Sequence, residues 1–208
     1  MRSTASEGAP LGALYVAETA ASAVGTVMIG TFGTFGTVAL AANQVAASVG
    51  MLLYMVPLGI AGAVSIRIAQ AKGAGSVATL RPIAFAALGL ALAWLLTAAI
   101  AMVFLRGAIA GAITDDGDVA ALAAAFLLMF AVMQIADGVQ STMLGALRGM
   151  SDTRYPAQVS LLAYWEVALP LGWGLSGWIG PVGIWSGFFV ALMAADAALT
   201  QRFWTNTA

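Results

Sequence analysis

Residues 119–147 read VAALAAAFLLMFAVMQIADGVQSTMLGAL, an apolar run in which Asp137 is the only residue able to carry charge. The run is too long for an ordinary soluble helix and long enough to cross a ~30 Å hydrocarbon core, which takes about 20 helical residues. It predicts a transmembrane helix with a carboxylate at depth. A charge there costs ~2.5 to 3.5 kcal/mol on insertion scales, so an intramembrane acid marks a functional site by default. Helical spacing gives it polar company: Gln134, Gln140 and Ser141 lie three or four residues from Asp137 and share its face.

The rest of the chain has the same character. Its 208 residues are 62% hydrophobic and 8% charged, with a mean hydropathy of +0.96, whereas roughly a quarter of a soluble domain is charged. An all-α, multi-pass membrane protein is expected. With no histidine and no cysteine, the commonest general base, the commonest metal ligand and any disulfide framework are missing. The reading is therefore not an enzyme and carries no resident metal or cofactor. No basic patch points to nucleic acid, and membrane lipid is the surrounding partner.

Six apolar spans make up a single transmembrane domain over 1–208: 11–31, 38–66, 83–105, 119–147, 156–175 and 182–201. Turn residues separate them, with Gly33 and Gly36 after the first, Gly73 and Gly75 after the second, and Ser176-Gly177 to Gly180-Pro181 before the last. Asp118 is the expected N-cap of the fourth span, with Asp115 and Asp116 facing solvent, and Pro156 suits the first turn of the fifth. Pro57 and Pro170 fall inside spans, where each frees a backbone carbonyl that a neighbouring helix must satisfy. Gly183-x-x-x-Gly187 reads as a close helix–helix contact. Ala21-Ser22-Ala23 resembles a signal-peptide cleavage site, but the apolar run from Leu11 through Thr31 is longer than a signal h-region and reads as a span.

Loop charges orient the bundle. Arg2, Arg67, Lys72, Arg81, Arg148, Arg154 and Arg202 fall on one side and only Arg106 on the other. That asymmetry predicts an inner or plasma membrane protein with both termini in the cytoplasm. Trp173, Trp178 and Trp185 then gather at the outer interface.

Three further acids lie within spans: Glu18, Glu166 and Asp196. No Lys, Arg or His lies in a span interior to pair with any of the four. An isolated buried carboxylate must take a proton or hold a cation, and either suits ion coupling. Counted from the cytoplasmic ends, Glu18, Asp137 and Glu166 sit roughly 12 to 17 Å deep at ~1.5 Å per residue, near the midplane. Asp196 is six residues before Arg202 and is expected to reach towards the interface or pair there. Asn43, Gln44 and Ser48 mark a polar start to the second span, Tyr164 stands near Glu166, and Met51 and Met55 offer an adaptable surface.

At these residues the chain resembles the multidrug and toxic compound extrusion (MATE) transporters. The likeness runs from Pro10-Leu11-Gly12 with Glu18, through Ala39-Leu40-Ala41-Ala42-Asn43-Gln44, Met55-Val56-Pro57-Leu58-Gly59 and Ala63-Val64-Ser65-Ile66-Arg67. It continues through Ala136-Asp137 with Gln140, Gly145-Ala146-Leu147-Arg148-Gly149 to Asp152-Thr153-Arg154, then Tyr164-Trp165 and Leu169-Pro170-Leu171-Gly172. The resemblance implies an efflux antiporter of two six-helix lobes, of which this chain looks like the C-terminal one. In part of that family a Glu of the lobe's first helix and an Asp of its fourth belong to a cation site, matched here by Glu18 and Asp137. Asn43 departs from a frequent histidine, and Glu166 from a usually uncharged position.

The resulting expectation is half of an H⁺- or Na⁺-coupled exporter of small amphiphilic or cationic molecules. Glu18 and Asp137 bind the ion; Asn43, Gln44, Gln134, Gln140, Ser141, Tyr164 and Glu166 line a cavity. A second six-helix lobe completes it, as a separate chain, an N-terminal half or a second copy. The alternatives are a non-transporting truncated fragment or assembly partner, and a related lipid-linked oligosaccharide flippase, whose cavities tend to be basic. Gly174-Leu175-Ser176-Gly177 is similar to the Gly-x-Ser-Gly of rhomboid proteases, but that serine needs a base beside it.

Overall fold

The structure, a computed structural model, describes residues 4–32 and 36–207; Arg2 and Gly33 lie outside them. It is helical, with no strand among the described residues. The helices are α1 (Thr4–Gly30), α2 (Gly36–Gly73), α3 (Leu80–Ile113), α4 (Gly117–Gly149), α5 (Arg154–Leu162), α6 (Leu169–Ile179) and α7 (Val182–Asn206). A 3₁₀ turn, Val77–Thr79, leads into α3, and a π-helix, Ala163–Ala168, joins α5 to α6. Five helices are long and apolar enough to cross a membrane. The remaining apolar span is the continuous helical run 154–179, interrupted by the π-helix.

Local chemistry explains the boundaries. Asp116, not Asp118, caps α4: its Oδ1 accepts from the amides of Asp118 at 2.9 Å and Val119 at 3.1 Å. The cap sits two residues earlier than the apolar pattern suggested, and Asp118 falls in the first turn, where the helix dipole favours an acid. At the other end Ser151 takes a left-handed conformation, φ 62°. The amide of Asp152 bonds the Leu147 carbonyl at 3.0 Å and that of Ser151 bonds Arg148 at 2.9 Å, a Schellman stop.

The two internal prolines are accommodated differently. Pro57 cannot donate to the carbonyl of Leu53, and Trp94 of α3 supplies the missing partner, its indole N–H donating to that oxygen at 3.0 Å. Pro170 follows the π-helix directly, and the widened turn before it takes up the register change that a proline imposes.

α4 is the centre of the bundle, packed against α2, α3 and α7. Lipid tails are as apolar as leucine, so helix association depends on close packing of small residues rather than on withdrawal from water. Ala39, Ala42, Ala46, Ala123, Ala191 and Ala195 are accordingly buried. A Cβ on Gly145 would strike the Ala61 carbonyl and one on Gly149 the Ser65 carbonyl, both on α2. The Gly183/Gly187 pair meets Leu175–Ser176 and Gly172 of α6 in the same way. Large apolar side chains such as Phe104 and Trp178 point outward, as a lipid-facing surface requires.

One end of the bundle is tied by its cations. Lys72 donates to the Met150 carbonyl. Arg81 donates to Thr207 Oγ1 and the Trp204 carbonyl, both at 3.1 Å, capping α7. Arg202 pairs with Asp152 at 2.9 Å. Trp173 and Trp178 are exposed, but Trp185 is buried, contrary to an interfacial place for it; its indole N–H donates to Asn43 Oδ1 at 2.7 Å.

Candidate functional site

Asp137 lies midway along α4 and Glu18 on α1, both half-buried and within electrostatic range of one another. α1 is held at this level by two bonds made just before Glu18 in the helix. Trp165 of the π-helix donates its indole N–H to the Ala17 carbonyl at 3.2 Å, and Arg148 donates to the Tyr15 hydroxyl at 3.0 Å. Two phenols stand within range of both carboxylates: Tyr54 of α2 and Tyr164 of the π-helix. Tyr54 lies beside Ser141.

The predicted polar stripe on α4 is buried, but its members do different things. Gln140 Oε1 accepts from the Tyr164 hydroxyl at 2.9 Å, while its Nε2 has no partner among the described residues. Gln134 donates to the Gly50 carbonyl of α2, leaving Oε1 unpaired. Ser141 and its neighbour Thr142 both donate back to the Gly138 carbonyl, at 3.2 and 2.8 Å. Gln134 thus ties helices together, whereas Gln140 and Ser141 stand with Tyr164 and Tyr54 around the acids.

The remaining residues divide. Asn43 is buried and committed to Trp185, so it holds α2 to α7. Gln44 is exposed and bonds Ser48 one turn on. Glu166 is exposed on the π-helix, and Met51 and Met55 are exposed on α2. Asp196 does not reach Arg202, which is taken by Asp152; it is 7% exposed and lies within electrostatic range of Asp137. Ser176 donates to the Trp173 carbonyl at 2.6 Å within its own helix, the posture of a packing hydroxyl.

Tyr54 and Trp165 complete the arrangement; Tyr54 does not stand out in the sequence, and Trp165 does so only as part of the family likeness, with no role attached. Each is an aromatic residue in an apolar run, and only the fold brings it to the acids. No cluster of three or more metal-ligating side chains occurs among the described residues. What the site offers is two carboxylates, two phenol oxygens, a serine hydroxyl and an amide, with no basic side chain paired to either acid among the described residues. Such a set of hard oxygens suits a proton or a small monovalent cation.

A helical membrane bundle with half-buried carboxylates that have no basic partner among the described residues has the make-up of a membrane transporter. The MatE family model matches residues 10–173, and the chain belongs to that family, the MATE transporters. It is 37% identical over 199 residues to the probable multidrug resistance protein NorM of Xanthomonas axonopodis pv. citri, covering 94% of this chain and 43% of that protein. It is 35% identical over 201 residues to the multidrug resistance protein PmpM of Pseudomonas aeruginosa, covering 94% and 42%. Its fold superposes on the Vibrio cholerae MATE transporter VcmN in the bent form with a TM-score of 0.86 at 18% identity, covering 96% of this chain and 45% of that one. The chain thus spans less than half the length of these relatives.

Proposed function

We propose that the chain is the C-terminal half of a cation-coupled multidrug exporter of the inner membrane, with H⁺ or Na⁺ bound at Glu18 and Asp137 and a small amphiphilic or cationic molecule leaving in exchange. The observation that carries this reading is the carboxylate pair: two acids on different helices, half-buried, with Asp137 within electrostatic range of Glu18 and neither with a basic partner among the described residues. Two like charges so placed repel unless a cation or proton joins them. Tyr54, Tyr164, Gln140 and Ser141 supply the surrounding oxygens. Likeness to proteins named for multidrug resistance supports the substrate class. An ion drives exchange only if it binds the outward-open and inward-open states unequally, and a site shared between two helices is suited to that.

A second six-helix lobe completes the pathway in this reading, whether as an N-terminal half, a separate chain or a second copy. The test is ion-driven dye efflux from proteoliposomes holding the chain with that lobe. Asp137→Asn and Glu18→Gln should each reduce efflux by at least about a hundredfold while the protein stays folded. Wild-type efflux by both variants would sink the assignment.

A further inference from the structure

Lys72, Arg81 and Arg202 of the basic end are committed to helix termini and to Asp152. Arg67 is not. It is exposed, has no hydrogen bond, ion pair or stacked ring among the described residues, and has no part in the ion-coupling reading. It lines a concavity of about 550 Å³ together with Gln70, Ser76, Thr79, Ile83 and Ala86. Two helices supply the walls: Arg67 and Gln70 share one face of α2, and Thr79, Ile83 and Ala86 share one face of the helical run Val77–Ile113.

The lining is graded with depth. Arg67 is the first charge after the apolar span 38–66, and Ile83 opens the apolar span 83–105. The charged and polar groups therefore stand at head-group level, and Ile83 and Ala86 stand where acyl chains begin. Ser76 and Thr79 are the N-cap residues of the 3₁₀ turn and of α3, and neither makes a side-chain cap. Thr79 donates to the Ser76 carbonyl at 2.7 Å, which leaves its oxygen able to accept; Gln70 and the Ser76 hydroxyl can do both. A guanidinium beside neutral hydroxyl and amide groups fits a phosphodiester that carries hydroxyls of its own. No carboxylate lines the concavity among the described residues, so the ammonium of a zwitterionic head group would find no partner there.

We propose that the concavity between α2 and α3 binds an anionic phospholipid with a polyol head group, of which phosphatidylglycerol is the simplest. Arg67 pairs with the phosphodiester, Gln70, Ser76 and Thr79 bond the glycerol hydroxyls, and the upper part of an acyl chain rests on Ile83 and Ala86. Basic pockets between helices at the membrane surface hold anionic head groups in this way. The site is separate from Glu18 and Asp137 and stands whether or not those acids couple transport to an ion.

The test is native mass spectrometry of the full chain, titrated in detergent micelles with phosphatidylglycerol, with phosphatidylethanolamine of the same chains, and with free glycerol phosphate. Phosphatidylglycerol should bind at least about fivefold more tightly than either of the others, and Arg67→Gln should weaken it by at least about fivefold, the worth of one basic side chain at an anionic surface. Ala86→Trp, which fills the apolar part of the concavity at an exposed position, should weaken it as well. Arg154→Gln removes an exposed cation of the same end outside the concavity and should leave binding unchanged. The site is overturned if Arg67→Gln or Ala86→Trp binds phosphatidylglycerol as wild type does. Equal loss in Arg154→Gln would overturn it in favour of general surface charge, and equal affinity for phosphatidylethanolamine or for free glycerol phosphate would overturn the head-group or the lipid assignment.

Discussion

At the scale of single residues, the bond from Trp94 to the Leu53 carbonyl is the most informative, because it answers a defect written into the chain four residues away at Pro57. Trp94→Phe should destabilise the protein by about 0.6 to 2 kcal/mol, the range for an interhelical hydrogen bond in a membrane bundle and for an orphaned carbonyl. In the Pro57→Ala background the helix regains its own donor, and the same substitution should lose most of that effect. Reversible unfolding in mixed micelles measures both, and equal penalties in the two backgrounds would show that the indole acts by packing alone. The sequence makes half of this legible: a proline inside a span announces a free carbonyl, but not which neighbour meets it. The four acids follow the same division. That Glu18, Asp137, Glu166 and Asp196 are unpaired within spans can be read directly. That Glu166 is exposed, and that Arg202 turns to Asp152 rather than Asp196, depends on contacts between helices far apart in the chain.

At the scale of elements, apolar length located the helices because the bilayer imposes it. Their ends were harder to place, since capping is decided by one side chain. Asp116 and Asp118 are both plausible caps by residue type, and only the backbone path selects Asp116. The π-helix at Ala163–Ala168 had no legible signal beyond Pro170, because a one-residue change of register leaves composition untouched. Two substitutions probe the α4 terminus. Ser151→Gly should stabilise the protein by about 0.5 to 1 kcal/mol, because glycine adopts the left-handed conformation of that residue without penalty. Gly149→Ala should destabilise by about 1 to 3 kcal/mol, because its methyl group meets the Ser65 carbonyl and the Ile68 side chain of α2. Chemical or thermal unfolding reads both, and a neutral Gly149→Ala would mean that α2 and α4 separate at little energetic expense.

At the scale of the whole molecule, the charge asymmetry of the loops gains a structural counterpart: Lys72, Arg81 and Arg202 meet at one end of the bundle and tie helix termini there. The orientation this implies can be measured cleanly, since the chain has no cysteine of its own. Ser76→Cys, at the basic end, should resist an impermeant maleimide in intact cells and react after permeabilisation; Thr114→Cys, at the other end, should react in both. The opposite pattern would place the termini outside. The central feature of the fold is that Asp137 and Glu18 ride on unlike supports. Asp137 is set in the helix around which α2, α3 and α7 are packed, whereas α1 rests mainly on α5 and α2 and is pinned near Glu18 through Tyr15 and Ala17. One charge is therefore a fixed reference and the other a pointer. A small slide of α1 changes the separation of the two carboxylates at once, with energy varying as the inverse of distance, before the central core has lost a contact.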